Sequence, residues 1–210
     1  MKVTSGKLYE AFAGGRFVYS DAVDVEGDSE SYREAYVFED RDEPHVDFFR
    51  FDGVHGNIAT SSIVVDRELL DVHRFDPELD GGEDYHLWTR LLRDATPTHV
   101  SEPLVYIRQR EDSLSSDPEM MYENRMRAID KLAASFEDLS AYADERRRLE
   151  RYGYGRNLLK ENRTSEARRV LAESFRDGSY RAAVMYLLTF LPYDGNRAVE
   201  YLDRLQSRLA

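Results

Sequence analysis

The chain has 210 residues, with 41 acidic and 29 basic side chains, a formal charge of −12 and 41% hydrophobic residues, which fits one domain of ordinary size or one core with an appendage. The absence of cysteine removes disulfides, thiolate metal sites and cysteine nucleophiles together, and the most apolar stretch, Ala182 to Leu191, is too short for a transmembrane helix. Residues 1–117 hold 26 acids against 12 bases, and residues 118–210 hold 15 against 17, so the front of the molecule would repel a phosphate backbone and nucleic acid is not an expected partner.

A short helix from Gly6 to Phe12 is expected before the Gly14-Gly15 break. Phe17 to Asp21 reads as a buried strand in a mixed α/β layer. Asp24 to Arg33 has almost no apolar residue apart from Val25 and Tyr32, which predicts a surface loop. Ser61 to Val65 ends in three β-branched residues and predicts a strand, and Asp66 stands where it can cap a brief helix through Leu69, Leu70 and Val72. Glu83 to Leu92 predicts a helix, because two acids occupy its first turn and Leu87, Trp88, Leu91 and Leu92 form an apolar face. Leu104 to Ile107 predicts the last strand. The expected class is α/β, with a mixed sheet and flanking helices over residues 1–117.

From Pro118 onward the pattern changes to helices. Met126, Ile129, Leu132 and Ala133 recur at spacings of three and four, and Tyr142, Leu149 and Tyr152 do so more loosely. Thr164-Ser165-Glu166 opens a helix with Ala167, Val170, Leu171 and Phe175 on its apolar face, ended by Gly178. Another is expected over Ala183 to Leu191, and Ala198, Leu202, Leu205 and Leu209 predict a final amphipathic helix. Residues 118–210 are therefore read as an α-helical C-terminal appendage, with no repeat that aligns on itself.

The residues that carry chemistry lie between Asn57 and Ser115. Four segments follow in order: Gly56-Asn57-Ile58-Ala59-Thr60-Ser61-Ser62-Ile63-Val64-Val65, Arg74-Phe75-Asp76-Pro77-Glu78-Leu79, Gly82-Glu83-Asp84-Tyr85-His86-Leu87-Trp88-Thr89-Arg90-Leu91, and Glu102-Pro103-Leu104-Val105-Tyr106-Ile107-Arg108. This order resembles the C-terminal, acceptor-side half of family 2 glycosyltransferases of the GT-A fold, over roughly residues 15 to 116. The resemblance implies inverting transfer of a sugar from a nucleotide-sugar donor to a hydroxyl acceptor, in surface polysaccharide or glycan assembly. Asp84 would be the base that takes the acceptor proton, and Glu83 would raise the proton affinity of the pair or bond an acceptor hydroxyl. Asn57, Ser61 and Ser62 would lie near the sugar or acceptor pocket, where short amides and hydroxyls supply donors and acceptors.

Simpler roles stand beside these. Glu83 and Asp84 also serve as N-terminal acids of a helix, Asn57, Ser61 and Ser62 as loop and strand-start hydrogen bonders, and Trp88 as core rather than as a sugar-stacking ring. The complete family domain also has a nucleotide-binding half of roughly a hundred residues, ending in an Asp-x-Asp motif that holds a divalent ion, Mg or Mn, on the donor diphosphate. By this resemblance the sequence is expected to start after that half. Asp21, Asp24 and the Asp40-Arg41-Asp42 triplet do not take the motif's place, and no metal ligand set is evident, the five histidines included. After the last strand many relatives have a histidine where this chain has Arg110, which together with Arg108 is a candidate to pair with phosphate oxygens. A partial sheet leaves open edges, so a second copy or a partner chain is expected. The non-catalytic alternative is a glycosyltransferase remnant or subunit that acts as a protein-interaction module.

The first twenty residues lack the order of an export signal, so a cytoplasmic location is expected; a lipid-linked acceptor would make the protein peripheral to the inner face of the membrane. Only four lysines, Lys2, Lys7, Lys131 and Lys160, stand against 25 arginines. Low lysine with abundant carboxylate suits the cytosol of salt-loving microbes, where high ionic strength screens self-repulsion.

Overall fold

The computed structural model describes residues 5–13, 15–38, 42–52, 57–109, 117–190, 195 and 199. The chain forms an α/β unit built on one long strand, β1 (Phe17–Glu26). Its partners are β2 (Ser29–Arg33), antiparallel from Ala22↔Arg33 to Glu26↔Ser29, and β3 (Ile63–Val65), antiparallel from Phe17↔Val65 to Tyr19↔Ile63. On its other side β4 (Pro97–Arg108) runs parallel to it, so the sheet is mixed.

The alternation of side chains along β1 decides what covers each face. Val18 turns to one face, where Leu104 of β4 and Leu8 of α1 (Ser5–Phe12) bury it. Phe17 and Tyr19 turn to the other, into the main core. That core is filled by Phe48 and Phe49 of α2 (Pro44–Phe51), Leu69 of α3 (Arg67–Val72), and Tyr85, Leu87, Trp88 and Leu91 of α4 (Glu83–Leu91). It continues into Ala128, Ile129 and Leu132 of α5 (Pro118–Ser135) and Leu139 of α6 (Glu137–Ser140). A second cluster holds Tyr152, Leu158 and Leu159 of α7 (Ala143–Lys160), Ala167 and Leu171 of α8 (Thr164–Arg176), and Ala182 and Met185 of α9 (Tyr180–Leu188). Among the described residues no helix is long and apolar enough to cross a membrane.

Several expectations change. The polar stretch from Asp24 to Arg33 is exposed for most of its length, as its composition suggested, yet it is a hairpin and not a loop. Backbone pairing needs no apolar side chain, and Gly27, with φ +59° at the first position of a two-residue turn, supplies the left-handed conformation that such turns require. The predicted strand from Ser61 starts only at Ile63, because Thr60–Ser62 forms a turn of 3-10 helix. The last strand begins at Pro97, seven residues before the predicted Leu104, because pairing with β1 extends it. Helix α2 was not anticipated, and Phe175, assigned to the apolar face of α8, is 51% exposed. Most of the predicted final helix, from Ala198 to Leu209, lies outside the described residues. Helix α6 was not anticipated either, and α9 runs from Tyr180 to Leu188, three residues before the predicted start at Ala183; Asp66 caps α3 as expected, accepting from the backbone N–H of Glu68 at 2.9 Å.

Candidate active site

Helix α4 enters through Gly82, whose backbone is left-handed at φ +69°, ψ 13°. A β-carbon at Gly82 would lie 2.8 Å from Cδ of Arg125, so this turn excludes larger residues both by conformation and by space. Behind it, Tyr85, Leu87, Trp88 and Leu91 are buried in the core and fix the helix. Trp88 packs edge-on against Phe17 and Phe75, with ring centroids 5.9 and 6.0 Å away. His86 is also buried, its Nδ1 has no hydrogen-bond partner, and burial together with the nearby Arg90 pushes its pKa down to about 4.

With its helix anchored in this way, Asp84 stands half-buried on the wall of a cavity of about 560 Å³. Its Oδ1 accepts from the Tyr85 backbone N–H at 2.7 Å and its Oδ2 accepts from the Thr60 hydroxyl at 3.3 Å. It forms no ion pair with the described residues. Asn57, Thr60 and Ser61 line the same cavity, and Tyr85, Trp88, Ile107 and Met121 supply apolar surface. A cavity of this size, mostly apolar with a few convergent polar groups, is the form that small-molecule sites take.

A buried ionic network closes the far wall. Arg125 of α5 pairs with Asp52 and lies 3.3 Å from Glu150, while Arg146 of α7 pairs with Glu150 and donates to the Asp52 carbonyl oxygen at 2.9 Å. Both guanidiniums sit over the Tyr85 ring, 4.3 and 5.2 Å from its centroid. Tyr85 in turn donates from its hydroxyl to the Phe49 carbonyl oxygen at 2.8 Å, and burial raises its pKa. Burial raises the Asp52 pKa against the pull of Arg125 and Arg146, with Asp84 adding to the rise. For Glu150 burial acts the same way, but Arg146 and Arg125 outweigh it and hold the carboxyl below its usual range. The network joins the helical part of the chain to the cavity, so α5 and α7 help to set its shape.

The structure brings Asp84, Asn57 and Ser61 together on the cavity and leaves other candidates aside. Glu83, half-buried, is not among the lining residues. Ser62 is fully buried and donates to the Ala59 carbonyl oxygen at 2.9 Å, closing the 3-10 turn. Arg108 is exposed at the end of β4, off the cavity, where Ile107 faces it instead. Arg110 lies outside the described residues. Trp88 is core, as its helical spacing suggested, and also forms part of the cavity wall. Thr60, Asp52, Tyr85 and Arg125 were not anticipated as site residues. Arg125 could have been found only from its position four residues after Met121, which places the two on one face of α5.

The described residues do not form a divalent-ion site. Asp52 is committed to Arg125, and among the described residues no three of His, Asp and Glu come together as a ligand set. Asp21 is buried in β1, held by the Tyr32 hydroxyl, the Ala35 N–H at 2.9 Å and His99 Nε2 at 2.8 Å. Asp24 is held by Arg33 and Gln109. No protein-family model matches the sequence, and no curated protein matches it. The site's own chemistry is one half-buried carboxylate on the wall of an open cavity whose rim carries the hydroxyls of Thr60 and Ser61 and the amide of Asn57.

Proposed function

We propose that the cavity is the acceptor side of an inverting, GT-A-like glycosyltransferase. The observation that carries this reading is Asp84, a carboxylate with no ion-pair partner among the described residues, on the wall of a cavity that also presents Asn57, Thr60 and Ser61. A hydroxyl of the acceptor saccharide would approach Asp84, which takes its proton as the oxygen bonds to the anomeric carbon of the donor sugar. The bond from that carbon to the nucleotide diphosphate breaks on the opposite face and the diphosphate leaves with the electron pair. One base and no covalent intermediate give inversion, by the same logic as in inverting glycoside hydrolysis. Thr60 holds Asp84 in place, and the part-exposed Ile107 and Met121 offer apolar surface to a sugar, with the buried Trp88 and Tyr85 rings behind them.

The test is nucleotide diphosphate release by the full chain from a panel of nucleotide sugars with magnesium or manganese and candidate saccharides. Asp84→Asn should lower release by about 100-fold or more at unchanged melting temperature; release at the wild-type rate would remove Asp84 from the base role.

A second reading, a non-catalytic subunit that interacts with another chain, is favoured by two observations. Both arginines that line the cavity among the described residues are already paired with carboxylates, so neither is a spare cation for a diphosphate. The outer side of β4 carries no strand among the described residues. Donor binding would then fall to a partner, and the chain alone would bind saccharide without releasing nucleotide.

A further inference from the structure

We infer that the cavity selects uncharged saccharides and turns away those with a carboxylate or phosphate on the sugar next to Asp84. The inference rests on the acceptor-site reading above and names its substrate class.

It follows from how the charges around the cavity are matched. Arg33 lines the cavity, but its guanidinium is bound edge-on to Asp24, with Nε and Nη2 at 2.8 and 2.7 Å from the two carboxylate oxygens. Arg125 is held between Asp52 and Glu150 and lies over the Tyr85 ring. Arg146, behind it, is held by Glu150 and the Asp52 carbonyl oxygen. Among the described residues Asp24, Asp52 and Glu150 thus answer Arg33, Arg125 and Arg146, and Asp84 is the carboxylate without an ion pair, felt by Arg125 only at longer range. Its two bonds come from the uncharged Thr60 hydroxyl and Tyr85 N–H.

An anionic sugar entering this space has two options. It can displace a carboxylate from its arginine, which leaves that carboxylate buried without a partner, or it can lie against Asp84 unneutralised. Across a hollow of this size, a single like charge costs about tenfold or more in affinity at an effective dielectric constant of roughly 20. A neutral sugar meets neither cost, since Asn57, Thr60 and Ser61 supply both donors and acceptors for its hydroxyls.

The experiment is an NMR titration of the isotope-labelled full chain at low salt. The ligands are the methyl glycosides of glucose, galactose and mannose, each with its matched uronate. Expected are shifts of the Thr60 and Asp84 amides with at least one neutral glycoside, and binding of its uronate about tenfold weaker or worse. In Asp84→Asn that gap should shrink to about threefold or less, and in the wild type it should shrink likewise at about 1 M salt, where charges are screened within about 3 Å. A gap that neither the substitution nor salt alters would mean steric exclusion and overturn charge selection. A uronate that binds as tightly as its neutral counterpart would overturn it too, with the saccharide reading intact. If no glycoside of either kind shifts these amides, both readings fall together.

Discussion

His86 provides a sensitive test of how α4 is anchored. The ring is buried two residues after Asp84, its Nδ1 has no partner, and its pKa is depressed from 6.5 to about 4 by burial first and the nearby Arg90 second. Asp76 pulls the other way and Lys131 adds slightly to the depression. A folded-state pKa below the unfolded one means that the unfolded chain takes up the proton first. Stability from His86 is therefore present above pH 6.5 and is lost as pH falls toward 4. Between about pH 7.5 and about pH 5 the linkage amounts to about 2 kcal/mol, and screening by water around the neighbouring charged side chains reduces this to about 1 kcal/mol. Urea denaturation of the wild type and of His86→Leu at both pH values isolates the term, because every other titrating group is shared. The wild type should lose about 1 kcal/mol more than the variant over that interval. Identical losses, or an NMR titration of the His86 ring with an ordinary midpoint, would refute the anchoring argument.

Two further substitutions test the geometry of the cavity. Gly82→Ala forces a β-carbon into a left-handed turn and against Arg125, and should cost about 1–2 kcal/mol of stability in chemical denaturation; an unchanged midpoint would show that the turn is not under this constraint. Arg125→Ala leaves Asp52 buried with one of its cationic partners gone and should destabilise the fold by about 3 kcal/mol or more, whereas the double variant with Asp52→Ala should recover part of the loss. Simple additivity of the two substitutions would mean that the pair is not coupled.

Most helices were legible because each reports its own periodicity; α2 and the one-turn α6 were not. Asp66 before α3 and the Leu87, Trp88, Leu91 face of α4 needed no knowledge of the rest of the chain. Elements defined by their partners were not. The hairpin strand β2 is exposed and polar, and only its register with β1 makes it a strand. The first part of β4 is likewise ordered by parallel pairing with β1. The same division runs through the candidate site. Asp84, Asn57 and Ser61 belong to segments that could be read locally, whereas Arg125 and Asp52 meet across 73 residues. Ser62 illustrates the opposite failure. Its neighbour Ser61 faces the cavity, but a 3-10 turn, which a strand-like sequence conceals, directs Ser62 into the core.

The most direct test of the acceptor-site reading is a crystal of the full chain soaked with a neutral oligosaccharide that the titration has shown to bind. Saccharide density in the cavity beside Trp88, with one hydroxyl about 2.6–3.2 Å from an Asp84 carboxylate oxygen, is the predicted result. Density at another surface, with the cavity beside Asp84 free of sugar, would contradict it.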